Sequence, residues 1–266
     1  MGVSRSVWRF EESGIEGNPQ AHHMLTGFGR KARIGQLYPS GGLCELEPQR
    51  MAPPGVEFLT TRLAFRHARL EDDAALVNGM EAHAQLLADA KVGLIAFNCT
   101  AASLVVGPQA INDRILAATG IRSTTTIEAV MAALKAAGLR RFALMTAYVP
   151  EVVAAETTFF AERGWSVAAH AGVPCTDPVT QGEIPPQRWL ELARTLHGTG
   201  CDGLLISCAG IQLSPVLGQI EREFGKPVIA SNQALLWHCL RLLGLPERSA
   251  GFGALLEGKF DAPSPA

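Results

Sequence analysis

The sequence predicts an α/β protein built from two pseudo-symmetric parallel-sheet halves, each Rossmann-like, with a ligand site in the cleft between them. Three observations predict it. Strand-like and helix-like segments alternate along almost all of the chain after residue 31, the pattern of βα units joined by right-handed crossovers. VGLIAFN (92–98) is apolar without a break, as a strand covered on both faces of a parallel sheet must be. And the chain repeats itself. KVGLIAFNCTA (91–101) is matched by CDGLLISCAG (201–210), and STTTIEAVMAALKAAGL (123–139) by ASNQALLWHCLRLLGL (230–245). Cys99 then pairs with Cys208, and Gly138 with Gly244.

In chain order, residues 1–31 are polar and irregular and read as an extension, arm or lid, with a His22-His23 pair that is solvated rather than metal-binding. RIGQLYP (33–39) is a strand stopped by Pro39-Ser40-Gly41-Gly42, and VEFLTTRLAF (56–65) is a second strand. Residues 71–90 carry apolar side chains at helical spacing with acids in the first turn and read as one helix. After the strand 92–98, helices follow over 108–120 and 123–138, each ending at a glycine. RRFALMTAYVP (140–150) is a strand, 151–164 a helix and 165–173 a strand. PCTDPVTQGEIPP (174–186), with four prolines, reads as a loop. The helix 187–200, strand 202–208, helix 216–225, strand 226–231 and helix 232–244 complete the pattern. The organisation expected is an extension over 1–31, a first half over 32–122 plus 229–260, a second half over 123–228, and a tail over 261–266.

Composition narrows the function. The chain has 266 residues, of which 47% are apolar, enough for a sizeable core. With 23 basic and 25 acidic side chains it has a net charge of −2 and no basic stripe, which argues against nucleic acid and anionic membranes as partners. No apolar run approaches the ~18 residues of a bilayer span, and residues 1–20 lack an apolar signal core, so a cytoplasmic protein is expected. MGVSRS fits only a loose myristoylation pattern. Six cysteines are present, without a CxxC pair or zinc-site spacing, and are expected as reduced thiols. No GxGxxG or P-loop motif occurs, so no cofactor and no metal is expected.

Ligands of open α/β sheets bind at the carboxyl ends of strands, which is where Cys99 and Cys208 stand. Free backbone amides at a following helix start favour a thiolate and bind anions. The neighbours are small or hydroxylic: Asn98, Thr100, Ala101 and Ser103 at one site, Ser207, Ala209 and Gly210 at the other. A single free cysteine is usually packing; two at repeat-related strand ends point to catalysis. Cys201 and Cys239 read as packing, and Cys44 and Cys175 lie in loops near the expected cleft mouth.

The motifs IGQLYPSGG, AFNCTAASLVVG, LMTAYVPEVV, LLISCAGIQ, GKPVIASNQALLW and GFGALLEGKF, in this order over about residues 33–260, resemble the aspartate/glutamate/hydantoin racemase superfamily. The resemblance is strongest to its maleate cis-trans isomerase and arylmalonate decarboxylase branch. It implies two catalytic thiols, Cys99 and Cys208. It implies that the Tyr148 hydroxyl holds a substrate carboxylate and that Pro39 and Ser40, with Gly41 and Gly42, border the substrate. Thr100, Ala209 and Gly210, beside Asn98, would supply donors to an oxyanion. There are departures. PSGGL has Gly42 where those isomerases carry a carboxylate-binding asparagine, suggesting a larger substrate or recognition by backbone amides. A second such asparagine is replaced by Asp177 or Thr176, and an acid there would repel a carboxylate. The decarboxylases have glycine in place of the first cysteine, whereas this chain has Cys99.

Four readings stay open. In a maleate-isomerase-like reaction one thiolate adds to an alkene, the bond rotates, and elimination follows. In an amino-acid or hydantoin racemase two thiols exchange a proton on opposite faces. In an arylmalonate-type decarboxylase Cys208 protonates a carbanion. A non-enzymatic small-acid binding protein would need no reactive thiol. The partner in each is a small carboxylate, and association into a homo-oligomer is compatible with all.

Overall fold

The computed structural model describes residues 28–261. Most of the expected extension, the His22-His23 pair, the myristoylation pattern and most of the tail therefore lie outside the described residues.

Two four-stranded, all-parallel sheets form the frame. The first comprises β1 (Ala32–Pro39), β2 (Val56–Leu63), β3 (Leu94–Phe97) and β4 (Ser123–Thr125), in the order β2-β1-β3-β4. The second comprises β5 (Arg141–Thr146), β6 (Ser166–Gly172), β7 (Gly203–Ser207) and β8 (Val228–Ala230), in the order β6-β5-β7-β8. The two orders are the same topology run twice, which is the internal repeat made physical. The central strands β3 and β7 and the edge strand β8 are buried at every residue, so their unbroken apolar character follows from helices on both faces. The first sheet ends at Thr125 and the second at Ala230, so sheet membership changes a few residues after each expected boundary.

The helices are α1 (Glu47–Met51), α2 (Leu70–Ala75), α3 (Met80–Asp89), α4 (Thr100–Val106), α5 (Pro108–Thr119), α6 (Thr126–Ala136), α7 (Pro150–Ala161), α8 (Pro178–Glu183), α9 (Pro186–Thr195), α10 (Leu217–Phe224) and α11 (Ser231–Leu242). Helix α1 has no counterpart in the sequence-based expectation, and three further differences have a local cause. The single helix expected over 71–90 is two, because Gly79 takes φ +70° and breaks the backbone between α2 and α3. The helix expected from Ser123 starts at Thr126: Thr125 closes a capping box with Glu128, and the residues before it pair with β3 as β4. The loop expected over 174–186 contains α8, started by the Asp177 side chain accepting the Val179 and Thr180 amides, with Pro178 in the first turn.

The repeat-related helices α6 and α11 pack against each other between the sheets. Ile127, Val130, Leu134, Leu235, Leu236 and Leu240 are fully buried there. At ~25 cal/mol per Å² of apolar surface, each such side chain contributes about 2 kcal/mol. Polar contacts add to the join: the buried Glu47 carboxylate accepts the Leu213 and Ser214 amides at 2.8 and 2.7 Å and the Ser214 hydroxyl at 2.8 Å. The strand order switches direction between β1 and β3, and again between β5 and β7. The carboxyl ends of those four strands face one cleft.

Candidate active site

Four strand ends and two short helices build one cavity. From the first half, Tyr38 and Pro39 end β1, and Cys99 is the N-cap of α4, followed by Thr100 and Ala101. From the second half, Tyr148 follows β5, and Cys208, Ala209 and Gly210 follow β7. Helix α2 adds Asp73 and α8 adds Pro178 and Gln181, while Gly42, Phe65 and Ala68 complete the wall. These residues close around a single pocket at the strand ends. The chain's two tyrosines, at equivalent places in the two halves, both line it. Among the described residues no Lys, Arg or His lines it, so an anion there meets hydrogen-bond donors rather than a cation.

The thiols are buried, Cys99 8% and Cys208 4% exposed. The backbone amides pull both thiols toward the thiolate, but burial outweighs them. Loss of water raises both thiols, Cys208 to about 12 and Cys99 well above the ordinary thiol value. The neighbouring Asp73 charge pushes Cys99 further up, against a weaker pull from the Ala102 amide. Around Cys208 the Gly210 amide, donating to Sγ at 3.2 Å, and the Tyr148 hydroxyl pull the other way. Burial also raises both tyrosines. At neutral pH both cysteines are therefore neutral thiols, and a reaction through either needs an acceptor for its proton.

One side-chain oxygen stands near each thiol. Asp73 Oδ1 lies 3.9 Å from Cys99 Sγ, and Gln181 Oε1 lies 3.9 Å from Cys208 Sγ. Burial, and then the adjacent Asp72, raise the Asp73 carboxyl to about 7. Behind Cys208, the fully buried Glu156 is bonded to the Ser207 hydroxyl and is raised to about 7 by burial.

A model of the arylmalonate decarboxylase family matches residues 35–256. The chain belongs to the arylmalonate decarboxylase family. It is similar to a maleate isomerase of Nocardia farcinica, 29% identical over 243 residues covering 84% of this chain and 95% of that protein. An arylmalonate decarboxylase of Bordetella bronchiseptica is 27% identical over 231 residues, covering 84% and 96%. Among solved structures, a variant of the Nocardia farcinica maleate cis-trans isomerase with a covalently bound succinylcysteine intermediate superposes with a TM-score of 0.79, at 24% identity over 85% of this chain and 98% of that one. That last likeness is one of fold.

Within this arylmalonate decarboxylase family member, Pro39, Gly42, Cys99, Thr100, Tyr148, Cys208, Ala209 and Gly210 line one cavity. Three expected substrate contacts do not. The Ser40 hydroxyl clasps Phe65 instead, accepting its amide at 3.0 Å and donating to its carbonyl at 3.3 Å. Gly41 packs under that strap: a Cβ there would lie 2.8 Å from the Phe65 carbonyl and 2.9 Å from Pro178 Cγ. Asn98 points away from the cavity. It donates to Gln36 and Asn232 at 3.0 Å each and accepts the Thr126 hydroxyl at 2.9 Å. Thr100 does line the cavity, but its hydroxyl donates to Ser231 at 3.0 Å, and Ser231 in turn accepts the Cys208 amide at 3.1 Å. Gly42 has a different reason from the one expected: a Cβ there would sit 2.7 Å from the Tyr38 ring and hydroxyl. The Asp177 side chain is spent capping α8 and is not among the lining residues. The residue of this segment that enters the cavity is Gln181.

Asp73, Tyr38 and Gln181 are the polar lining groups that sequence reasoning missed, along with the apolar Phe65, Ala68 and Pro178. Asp73 stood in an acidic first turn that reads as solvated. Tyr38 sits inside the quoted IGQLYP strand and was legible as the counterpart of Tyr148. Gln181 lay in a segment read as loop.

Proposed function

We propose that this chain is a cofactor-independent isomerase that works on a small carboxylic acid through Cys99 and Cys208. The observation that carries the reading is that both cysteines line one cavity, each at the end of the equivalent strand of its half. The Cys99 sulfur adds to an alkene carbon of an unsaturated acid, and the π pair moves toward the substrate carboxylate. The resulting single bond rotates. The electron pair then returns, the C–S bond breaks, and the trans alkene leaves. The Tyr148 hydroxyl and the amide edge at Gly210 hold the enediolate-like intermediate, and the Cys208 thiol stands ready for proton transfer. Free thiols suit a reducing compartment such as the cytoplasm.

A decarboxylase reading is favoured by the wall of Pro39, Phe65, Ala68 and Pro178. An apolar wall destabilises a carboxylate and promotes loss of carbon dioxide, after which Cys208 protonates the carbanion. Proton NMR in D₂O with maleate, α-amino acids, hydantoins and substituted malonates separates the reactions. Conversion of a cis alkene acid to its trans isomer is expected. Carbon dioxide loss instead assigns the decarboxylase, deuterium exchange alone a racemase, and no change in any substrate removes the enzymatic reading.

A further inference from the structure

The two thiols have equivalent neighbours of different chemistry. Asp73 on α2 precedes Cys99 by 26 residues, and Gln181 on α8 precedes Cys208 by 27. Helix α2 follows β2, and α8 follows its counterpart β6. In both halves a side-chain oxygen stands 3.9 Å from the sulfur. In the first half that oxygen belongs to a carboxyl; in the second it belongs to an amide.

The amide is fixed in direction. Gln181 Nε2 donates to the Ala147 and Cys175 carbonyls at 3.3 and 3.2 Å, so only Oε1 is turned to Cys208. An amide oxygen can accept an S–H bond but cannot take the proton. Asp73, 2% exposed and on the cavity wall, can.

We infer that Asp73 takes and returns the proton of Cys99 during the reaction, whereas Gln181 holds Cys208 as a thiol, so that the two repeat-related cysteines have unlike roles. The inference rests on the reading of this cavity as the active site. In the addition step the Cys99 S–H proton passes to Asp73 Oδ1 while the sulfur electron pair forms the C–S bond. In elimination the C–S bond breaks and Asp73 hands the proton back. No oxidant or co-reactant is needed.

Among the described residues, the groups facing Asp73 are Asp72 on its own helix, Cys99 at the start of α4, and Cys208, Tyr38 and Tyr148 across the cavity. None of those across the cavity is a cation. Asp73 and Cys99 therefore titrate as one pair. After the pair has lost its first proton, it exists as carboxylate with thiol or as carboxyl with thiolate, in a ratio that does not change with pH. The reactive thiolate then rises with pH only until that first proton is gone, and levels.

Alkylation of the full-length protein by acrylamide, resolved by mass spectrometry from pH 6 to 9, tests this without any substrate. Cys99 labelling in the wild type is expected to rise to a plateau above about pH 7. In Asp73→Asn it should climb without levelling, about tenfold per pH unit, as a lone thiol far below its pKa does. Asp73→Glu should restore the plateau, and Gln181→Glu should create one at Cys208. An unbroken rise of Cys99 labelling in the wild type overturns the inference, whether or not Asp73→Asn folds. A plateau together with no turnover of any acid in the NMR panel would sink the isomerase and keep the proton pair. Turnover without a plateau would do the reverse.

Discussion

Asn98 and Asn232 meet side chain to side chain at 3.0 Å, 134 positions apart in the chain. Asn232 passes the contact on, donating to the Ala209 carbonyl at 3.0 Å. One residue before Cys99 is thus tied, through the first turn of α11, to the residue after Cys208. The parallel tie runs from Thr100 through the Ser231 hydroxyl to the Cys208 amide. These two chains of hydrogen bonds hold the cysteine loops to each other.

Asn98→Ala removes three buried hydrogen bonds and leaves Gln36 Oε1 and Asn232 Oδ1 without that donor, while the Thr126 hydroxyl keeps the Phe97 carbonyl. Urea unfolding should show a loss of about 2–3 kcal/mol. A variant as stable as the wild type would mean that water or a shifted side chain fills the network.

Gly42→Ala tests the Tyr38 contact. The new methyl would lie 2.7 Å from the Tyr38 ring edge and hydroxyl, and that hydroxyl accepts the Cys44 amide at 3.1 Å and donates to the Ala209 carbonyl at 3.4 Å. Stability should fall by about 1–3 kcal/mol through overpacking, with kcat reduced because Tyr38 is displaced on the cavity wall. An unchanged melting temperature would show that the ring has room to move.

Cys99→Ser and Cys208→Ser should each lower turnover by at least about a thousandfold with the fold intact by circular dichroism, since a serine is a far weaker nucleophile and acid at neutral pH. Full activity in Cys99→Ser would leave only the decarboxylase reading.

The charge on Asp73 should also select against acids with a carboxylate at the Cys99 end. Two unit charges about 4 Å apart at an effective dielectric of ~20 repel by about 4 kcal/mol. Because the carboxyl is raised to about 7, it is neutral below that pH and charged above it. Inhibition by succinate should therefore tighten by up to about tenfold as pH falls from 8 to 6, and Asp73→Asn should abolish the pH dependence. Equal inhibition at both pH values in the wild type would place the second carboxylate elsewhere.

Glu156 gives a stability prediction of definite sign. Its folded pKa, about 7, lies above the unfolded carboxyl value, and Oε2 has no partner among the described residues. The protonated form is the one the fold accepts, so stability is complete below the unfolded value and is lost as pH rises through about 7. Glu156→Gln, which is neutral at every pH, should be more stable than the wild type by up to about 3 kcal/mol near pH 8 and match it near pH 4. Calorimetry at the two pH values checks this.

The sequence by itself determined the repeat, the parallel α/β architecture and the pairing of Cys99 with Cys208. Those features are local: an apolar run of strand length, a following small-residue turn, and their recurrence are written in neighbouring residues. Tyr148, Ala209 and Gly210 were legible for the same reason, each being a strand end next to a motif. What only the tertiary structure decided is which side chains turn toward the shared space. Asn98 and Thr100 flank Cys99 equally in sequence. Yet strand geometry sends Asn98 into a bridge between halves, while Thr100 stays on the wall with its hydroxyl already committed. Asp73 on α2 reaches Cys99, 26 residues on, only through the packing of the fold. Whether the thiols rest protonated was likewise settled by burial, which depends on everything packed around them and outweighed the helix-start amides that the sequence brings into view.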